Sequence, residues 1–322
     1  MRSHGLTWCS LLTMFVFSRL QHLSFFVSVV FPFASALSNT DTSLTLLYQN
    51  NLNASDDVNH VGFILLDPHS PKDAPAACGA LNETLLTSRT IKSHTSDFLL
   101  PLSYQAYRGR SSASQLYIID NGVISYDAVH GLSFPKSTSG NAKLPVLCTQ
   151  SSEESQPGTA VATDANEVSL AAGGNTYIGF RNQKSFRFLG IPYADPAARF
   201  VYSTPYSATG KTIQATEYGA QCPQAGGGSE DCLFVNIQTP YIPKAKSTKD
   251  LRPVMFWIHG GGFVGGSGAD QLSDGGDLAS REDIVVVNVN YRLSVFGFLA
   301  IPGTNITGNY GIADQINALE VK

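Results

Sequence analysis

Charge is scarce in this 322-residue chain. Asp, Glu, Lys and Arg together make up 14%, against roughly a quarter in an ordinary globular protein. That excludes a long charged helix or a coiled coil. The formal net charge is −4 and no basic patch is interleaved with aromatics, so nucleic acid is not an expected partner. Cysteine is sparse as well, at 5 residues. None sits in a C-x-x-C pair or beside a His cluster, which argues against a metal site. Internal repeats and long low-complexity tracts are missing. Hydrophobic residues are plentiful, at 43%, enough for one large domain or two smaller ones.

The N-terminus reads as a secretory signal peptide over residues 1–36. Arg2, His4 and Arg19 precede an apolar run at 23–31, and Ala34-Ser35-Ala36 offers an A-x-A cleavage site after Ala36. An uncleaved anchor is the competing reading, because residues 11–17 are also apolar. Arg19, Gln21 and His22 interrupt that longer run, leaving less than the ~18 residues a span needs. No stable membrane span is expected once the leader is gone. Export fits three N-glycosylation sequons, at Asn53, Asn82 and Asn305. It also fits the even set of cysteines outside the leader, Cys78, Cys148, Cys222 and Cys232, which suggests disulfides.

A polar stretch ending in Pro157-Gly158 reads as a linker over 151–160. It separates an N-terminal extension, 37–150, from a C-terminal part, 161–322. The extension is expected to be mostly β. Strand-forming runs at 116–120 and 123–127 flank Asn121-Gly122, a hairpin signal in which both turn positions take positive φ. Residues 61–66 read as another strand. Cys78 and Cys148 are the only cysteines here and are the default pair. His60, His69, His94 and His130 lie among polar neighbours and read as exposed or locally bonded. No catalytic constellation is visible in this part.

The C-terminal part is expected to be α/β. Its strand candidates are 176–180, 185–190, 233–238, 254–259 and 284–290. The β-branched run Ile284-Val285-Val286-Val287 suits a strand buried on both faces. A crossover helix within 270–281 would make the last two strands parallel. Ile312, Ile316 and Leu319 mark one face of a helix near the end of the chain.

The most informative run is Pro253-Val254-Met255-Phe256-Trp257-Ile258-His259-Gly260-Gly261-Gly262-Phe263. An apolar strand enters three glycines, whose backbone can turn sharply and aim its N–H groups outward. Acyl transfer needs such donors to hold a developing oxyanion, and HGGG-type loops after a strand supply them in lipases and esterases. A dinucleotide cradle is the poorer reading. Gly262 to Gly268 fits G-x-G-x-x-G only loosely, and the next strand ends in Asn288 and Asn290 rather than an acid.

Other stretches accompany the loop in order: Phe188-Leu189-Gly190-Ile191-Pro192-Tyr193-Ala194, Glu230-Asp231-Cys232-Leu233, Asn290-Tyr291-Arg292 with Gly297-Phe298, and Gly308-Asn309-Tyr310-Gly311 with Asp314-Gln315. The ordered set resembles the type-B carboxylesterase/lipase family, the cholinesterase-like branch of the α/β-hydrolases. It covers about residues 165–320. The resemblance implies the N-terminal part of an α/β-hydrolase fold, a mixed sheet with crossover helices, preceded here by the mostly β extension. It implies a secreted carboxylic ester hydrolase acting on small-molecule or lipid esters, without metal or organic cofactor. By residue, it implies oxyanion-hole N–H groups at Gly261 and Gly262 and an acyl-side contact at Phe263. It also implies a Cys222–Cys232 disulfide and a buried ion pair between Arg199 and Glu230. His259 is implied to shape the loop, not to act as general base.

The same family uses a Ser in Gly-x-Ser-x-Gly, then an acid and a His. That pentapeptide does not occur in these 322 residues. The nearest stretch, Gly265-Gly266-Ser267-Gly268-Ala269, follows the oxyanion loop directly, so Ser267 is not a credible nucleophile. In the family the elbow comes one helix and one strand beyond Asp314-Gln315. The Ser, acid and His are therefore expected beyond Lys322, the ending reads as a truncated product or gene model, and the chain alone is expected to be inactive. The alternative is a non-catalytic cholinesterase-like binding or adhesion protein. An intact oxyanion loop favours the enzyme, since a binder has no need of one.

Overall fold

The computed structural model describes residues 37–38, 42–53, 55–135, 142–153, 161–245, 247 and 250–320. The leader at 1–36 and most of the linker, 154–160, lie outside the described residues. Residues 37–150 contain β1 (Leu37–Ser38), β2 (Leu44–Leu47), β3 (Phe63–His69), α1 (Ala74–Gly79), α2 (Ser88–Ser93), α3 (Thr95–Tyr107), β4 (Ser114–Ile119), β5 (Gly122–Asp127), β6 (Gly131–Ser133) and β7 (Leu144–Thr149). After them come β8 (Glu167–Ala172), β9 (Asn175–Arg181), β10 (Phe186–Pro192), β11 (Thr212–Gln214), β12 (Phe234–Thr239), β13 (Tyr241–Ile242), β14 (Val254–Ile258), α4 (Gly276–Glu282), β15 (Val285–Val289), α5 (Ser294–Phe298) and α6 (Tyr310–Leu319).

Two mixed sheets result. One runs β13-β2-β3-β7-β4-β5-β6, the other β1-β8-β9-β10-β12-β15-β14 with β11 beside β9. Each sheet borrows a strand across the chain: β1 joins β8, and β13 joins β2. Strand alternation sends the two faces of the first sheet to different cores. Phe63, Tyr117, Ile124 and Leu147 pack under Ile91, Phe98 and Leu102 of α2 and α3. Leu44, Leu46, Ile64, Leu66 and Val146 face the other way, into a core shared with Val168, Phe186, Val235 and Val289 of the second sheet. The helices α1–α3 were not legible beneath the β pattern of this part.

The hairpin differs from expectation by one residue. Ile119 pairs with Gly122, so Asp120 and Asn121 form the turn. Asn121 takes φ 57°, which an Asn tolerates, and one such position is enough to reverse the chain. Downstream, β14 and β15 pair in parallel, joined through α4, as a crossover helix between the two strands implied. α6 is turned the other way from its apolar pattern. Ile312, Ile316 and Leu319 are exposed, whereas Asp314 is fully buried. The reason is a two-point ion pair: Arg292 Nε and Nη2 donate to Asp314 at 2.8 Å each, and Ser203 Oγ donates to it at 2.6 Å.

His60 is held between two carboxylates. Nδ1 lies 2.8 Å from Asp97 and Nε2 3.1 Å from Asp56. Burial lowers its pKa, but the contacts with Asp97 and Asp56 outweigh burial and raise it above the usual 6.5. A raised folded-state pKa stabilises fully below 6.5 and less as pH rises through the raised value. We expect the urea midpoint to fall between about pH 6 and pH 8, and His60→Gln to flatten that slope. An unchanged slope in the variant would remove His60 from the explanation.

Candidate functional site

The glycine loop leaves β14 at a buried His259. Gly261 has φ 115°, and a Cβ there would come within 2.0 Å of Gly265 O. Only glycine fits, so the turn is a requirement of the backbone. Gly262 follows at φ 60° and Phe263 at φ 64°. The turn is closed by Val264 N–H donating to Gly261 O at 3.1 Å, and it is tied to the start of α5 by Ser294 N–H donating to Phe263 O at 2.7 Å. Neither the Gly261 nor the Gly262 N–H has an acceptor among the described residues. Both glycines are exposed. Two adjacent, exposed, unpaired donors are what a developing oxyanion requires. Phe263 lies half exposed beside them, its ring 4.9 Å from that of Phe298.

His259 serves the loop's shape. Its ring stacks on Tyr291, centroids 4.4 Å apart, and its Nδ1 is 2.9 Å from Gly260 O. Burial pushes its pKa below the usual value, which keeps the imidazole neutral at pH 7. Tyr291 Oη donates to His259 O at 2.9 Å, fixing the strand end from below.

The far end of the loop is held by three amide side chains. Gln224 binds Gly266 with both ends of its amide: Nε2 donates to Gly266 O and Gly266 N–H donates to Oε1, each at 2.9 Å. Asn290 Oδ1 accepts from Gly268 N–H at 2.7 Å and from Ser267 Oγ at 3.3 Å. Asn236 Nδ2 donates to Gly268 O at 3.1 Å. The Ser267 hydroxyl is thus engaged by an amide, and among the described residues it makes no hydrogen bond to a carboxylate or an imidazole. Sequence reading missed Gln224 and Asn236 and gave Asn290 and Tyr291 no role. Asn290 and Tyr291 were at least inside a recognised motif.

Both disulfides are present, Cys78–Cys148 and Cys222–Cys232. Arg199 reaches Glu230 through Nε and Nη2 at 2.6–2.9 Å, but the pair is exposed rather than buried. It is therefore screened by water and contributes little. The buried lock of this region is Arg292–Asp314. The sequon residues Asn53, Asn82 and Asn305 are all exposed. Asn82 Nδ2 donates to Asp164 O at 3.0 Å. No group of three metal-ligating side chains occurs among the described residues, and no helix among them is long and apolar enough to cross a membrane.

The carboxylesterase family model matches residues 171–321, which hold the glycine loop and every residue that braces it. This matched segment, a little under half of the chain, is similar to the carboxylesterase family. The para-nitrobenzyl esterase of Bacillus subtilis is 40% identical over 150 residues, 42% of this chain and 30% of that protein. Acetylcholinesterase-1 of Trittame loki is 41% identical over 150 residues, 42% of this chain and 27% of its own length. The bile salt-activated lipase of Homo sapiens is 36% identical over 165 residues, 48% and 22% of the two chains. A solved Geobacillus stearothermophilus carboxylesterase is 38% identical, covering 47% of this chain and 33% of its own, with a TM-score of 0.43. The chain thus spans less than a third of the length of these curated relatives.

Proposed function

We propose that the carboxylesterase segment supplies the oxyanion hole of a secreted carboxylic ester hydrolase. The observation that carries this reading is the pair of unpaired N–H groups at Gly261 and Gly262, on a turn that only glycine can make. A serine outside these 322 residues attacks the ester carbonyl with a histidine as base. The two glycine N–H groups hold the tetrahedral oxyanion, and water then releases the acid. Phe263, half exposed and leaning on Phe298, lines the acyl side. Substrates are small-molecule or lipid esters, and the step calls for no metal or organic cofactor. The leader at 1–36, the three sequons and the two disulfides support export to an oxidising compartment.

The test compares the 322-residue chain with a protein whose reading frame carries a Gly-x-Ser-x-Gly elbow. The chain alone is expected neither to turn over p-nitrophenyl acetate nor to take a fluorophosphonate label. The longer protein is expected to do both. In it, Gly261→Ala should lower kcat by about 10²–10³ with KM little changed, the signature of a lost transition-state donor. A Gly261→Ala effect confined to KM would sink the oxyanion role. A longer protein that neither takes the label nor turns over ester would sink the hydrolase reading and favour a cholinesterase-like binding protein.

A further inference from the structure

We propose that Gln224 is the positioning residue of the oxyanion loop and that the Cys222–Cys232 disulfide holds it in place. Reduction of that disulfide then loosens the loop. The proposal rests on the reading of Gly261 and Gly262 as oxyanion donors.

The argument starts from how the loop is anchored. Its entry is fixed by β14 and the stacked pair His259–Tyr291. Its exit is fixed by Asn290 and Asn236 at Gly268. Between them the chain passes through Gly265 and Gly266, with Gly266 at φ 114°. Two close approaches depend on where Gly266 sits. Gly265 O lies against the α-carbon of Gly261, and Gly266 lies against the His259 ring and Gly260 O. A shift of the 265–266 peptide therefore moves the wall on which Gly261 turns.

Gln224 supplies the only hydrogen bonds to the Gly266 N–H and to Gly266 O among the described residues. The pairing copies a backbone ladder. One amide acceptor meets the N–H and one amide donor meets the carbonyl, so both position and rotation are set. Gln224 is itself held in two ways. Its backbone bonds in both directions with Gly227, and its Nε2 also reaches Cys222 O at 3.2 Å. Cys222 is two residues away and is bonded to Cys232, closing a loop that contains Gly226, Gly227 and Gly228, all at positive φ. A glycine-rich loop has large conformational freedom once opened. The disulfide removes that freedom and thereby keeps the Gln224 amide aimed at Gly266.

The test is amide hydrogen exchange in the 322-residue chain, followed in peptides spanning residues 259–268 by mass spectrometry. Oxidised wild type is expected to protect Gly266. Gln224→Ala should speed exchange there at least tenfold, because the N–H loses its one acceptor. Reduction of the wild type should give a similar increase. Reduction of Gln224→Ala should add little, because clamp and disulfide act on one path. Gln224→Glu tests the donor half. Its protonated carboxyl offers one donor and one acceptor like the amide, so protection corrected for intrinsic rates should recover as the pH is lowered and fail when the carboxylate ionises. Disulfide mapping and circular dichroism confirm that each variant folds, and the wild-type reduction arm needs no variant. Unchanged exchange at Gly266 in Gln224→Ala would overturn the proposal. So would effects of reduction and substitution that simply add. The readout is independent of ester turnover. A clamp that behaves as described, in a longer protein that carries the Gly-x-Ser-x-Gly elbow yet turns over no ester, would refute the oxyanion reading and leave the clamp standing.

Discussion

Arg181→Met is expected to destabilise the fold by about 3–5 kcal/mol, the usual consequence of leaving one member of a buried ion pair alone. Arg181 on β9 and Glu83 after α1 are each about 1% exposed, with Nη1 to Oε1 at 2.8 Å. Arg181 also donates to Gln150 Oε1, Leu81 O and Ala165 O. Glu83 accepts from Thr149 Oγ1 and from the N–H and Oγ of Ser151. Removing the guanidinium strands a carboxylate and three acceptors at once. The pH dependence carries a distinctive sign. Burial raises the Glu83 pKa, but the bonds from Thr149, Arg181 and Ser151 outweigh it and lower the pKa below the usual 4.5. In the wild type this contributes stability that is present above 4.5 and lost as pH falls through the lowered value. Without Arg181 two of the contacts that lower the Glu83 pKa are gone while burial still raises it, so the variant should lose less stability than the wild type as pH falls toward about 5. Adding Glu83→Gln should recover part of the loss at pH 7, because no unpaired charge is left buried. Urea unfolding of the two variants at two pH values checks all three statements. A cost below about 1 kcal/mol for Arg181→Met would show that the pair is dispensable.

That pair also explains why the boundary around 151–160, plain as composition, says little about packing. The polar stretch was visible because composition is local. The contacts across it were not, because Glu83 and Arg181 are 98 residues apart and nothing in either neighbourhood names the other. β1 and β13, of two residues each, show the same limit. Strands so short have no periodicity to read. The glycine loop was legible for the opposite reason. An apolar strand, a His and three glycines lie in sequence, and the proposed oxyanion role would use backbone N–H groups whose placement is set by the same residues. Gln224 was not, since its partner is the backbone of Gly266, and a backbone leaves no trace in residue type. α6 misled because period alone cannot tell which face is inside. The buried Asp314, anchored by Arg292, settled the orientation against the apolar face.

The 322-residue chain is expected to self-associate through β14. This strand pairs with β15 along one edge, and among the described residues nothing pairs with the other. An open edge is a template for another strand. Here it is also apolar on both faces: Val254, Met255, Trp257 and Ile258 are 62%, 37%, 42% and 41% exposed. Val264 on the glycine loop and Ile316 on α6 are exposed as well. Parallel strands are ordinarily covered on both faces, so burying this patch is a strong drive toward association at about 25 cal/mol per Å². Light scattering coupled to size exclusion should show oligomers that grow with concentration. Val254→Lys with Trp257→Lys, one change on each face of the strand, should shift the chain to monomer. Neither residue belongs to the buried core, so the melting temperature should change little while the association is lost. A wild-type chain that stays monomeric at about 100 μM would mean that the edge is already covered. A double variant that unfolds would mean that these side chains hold the sheet together.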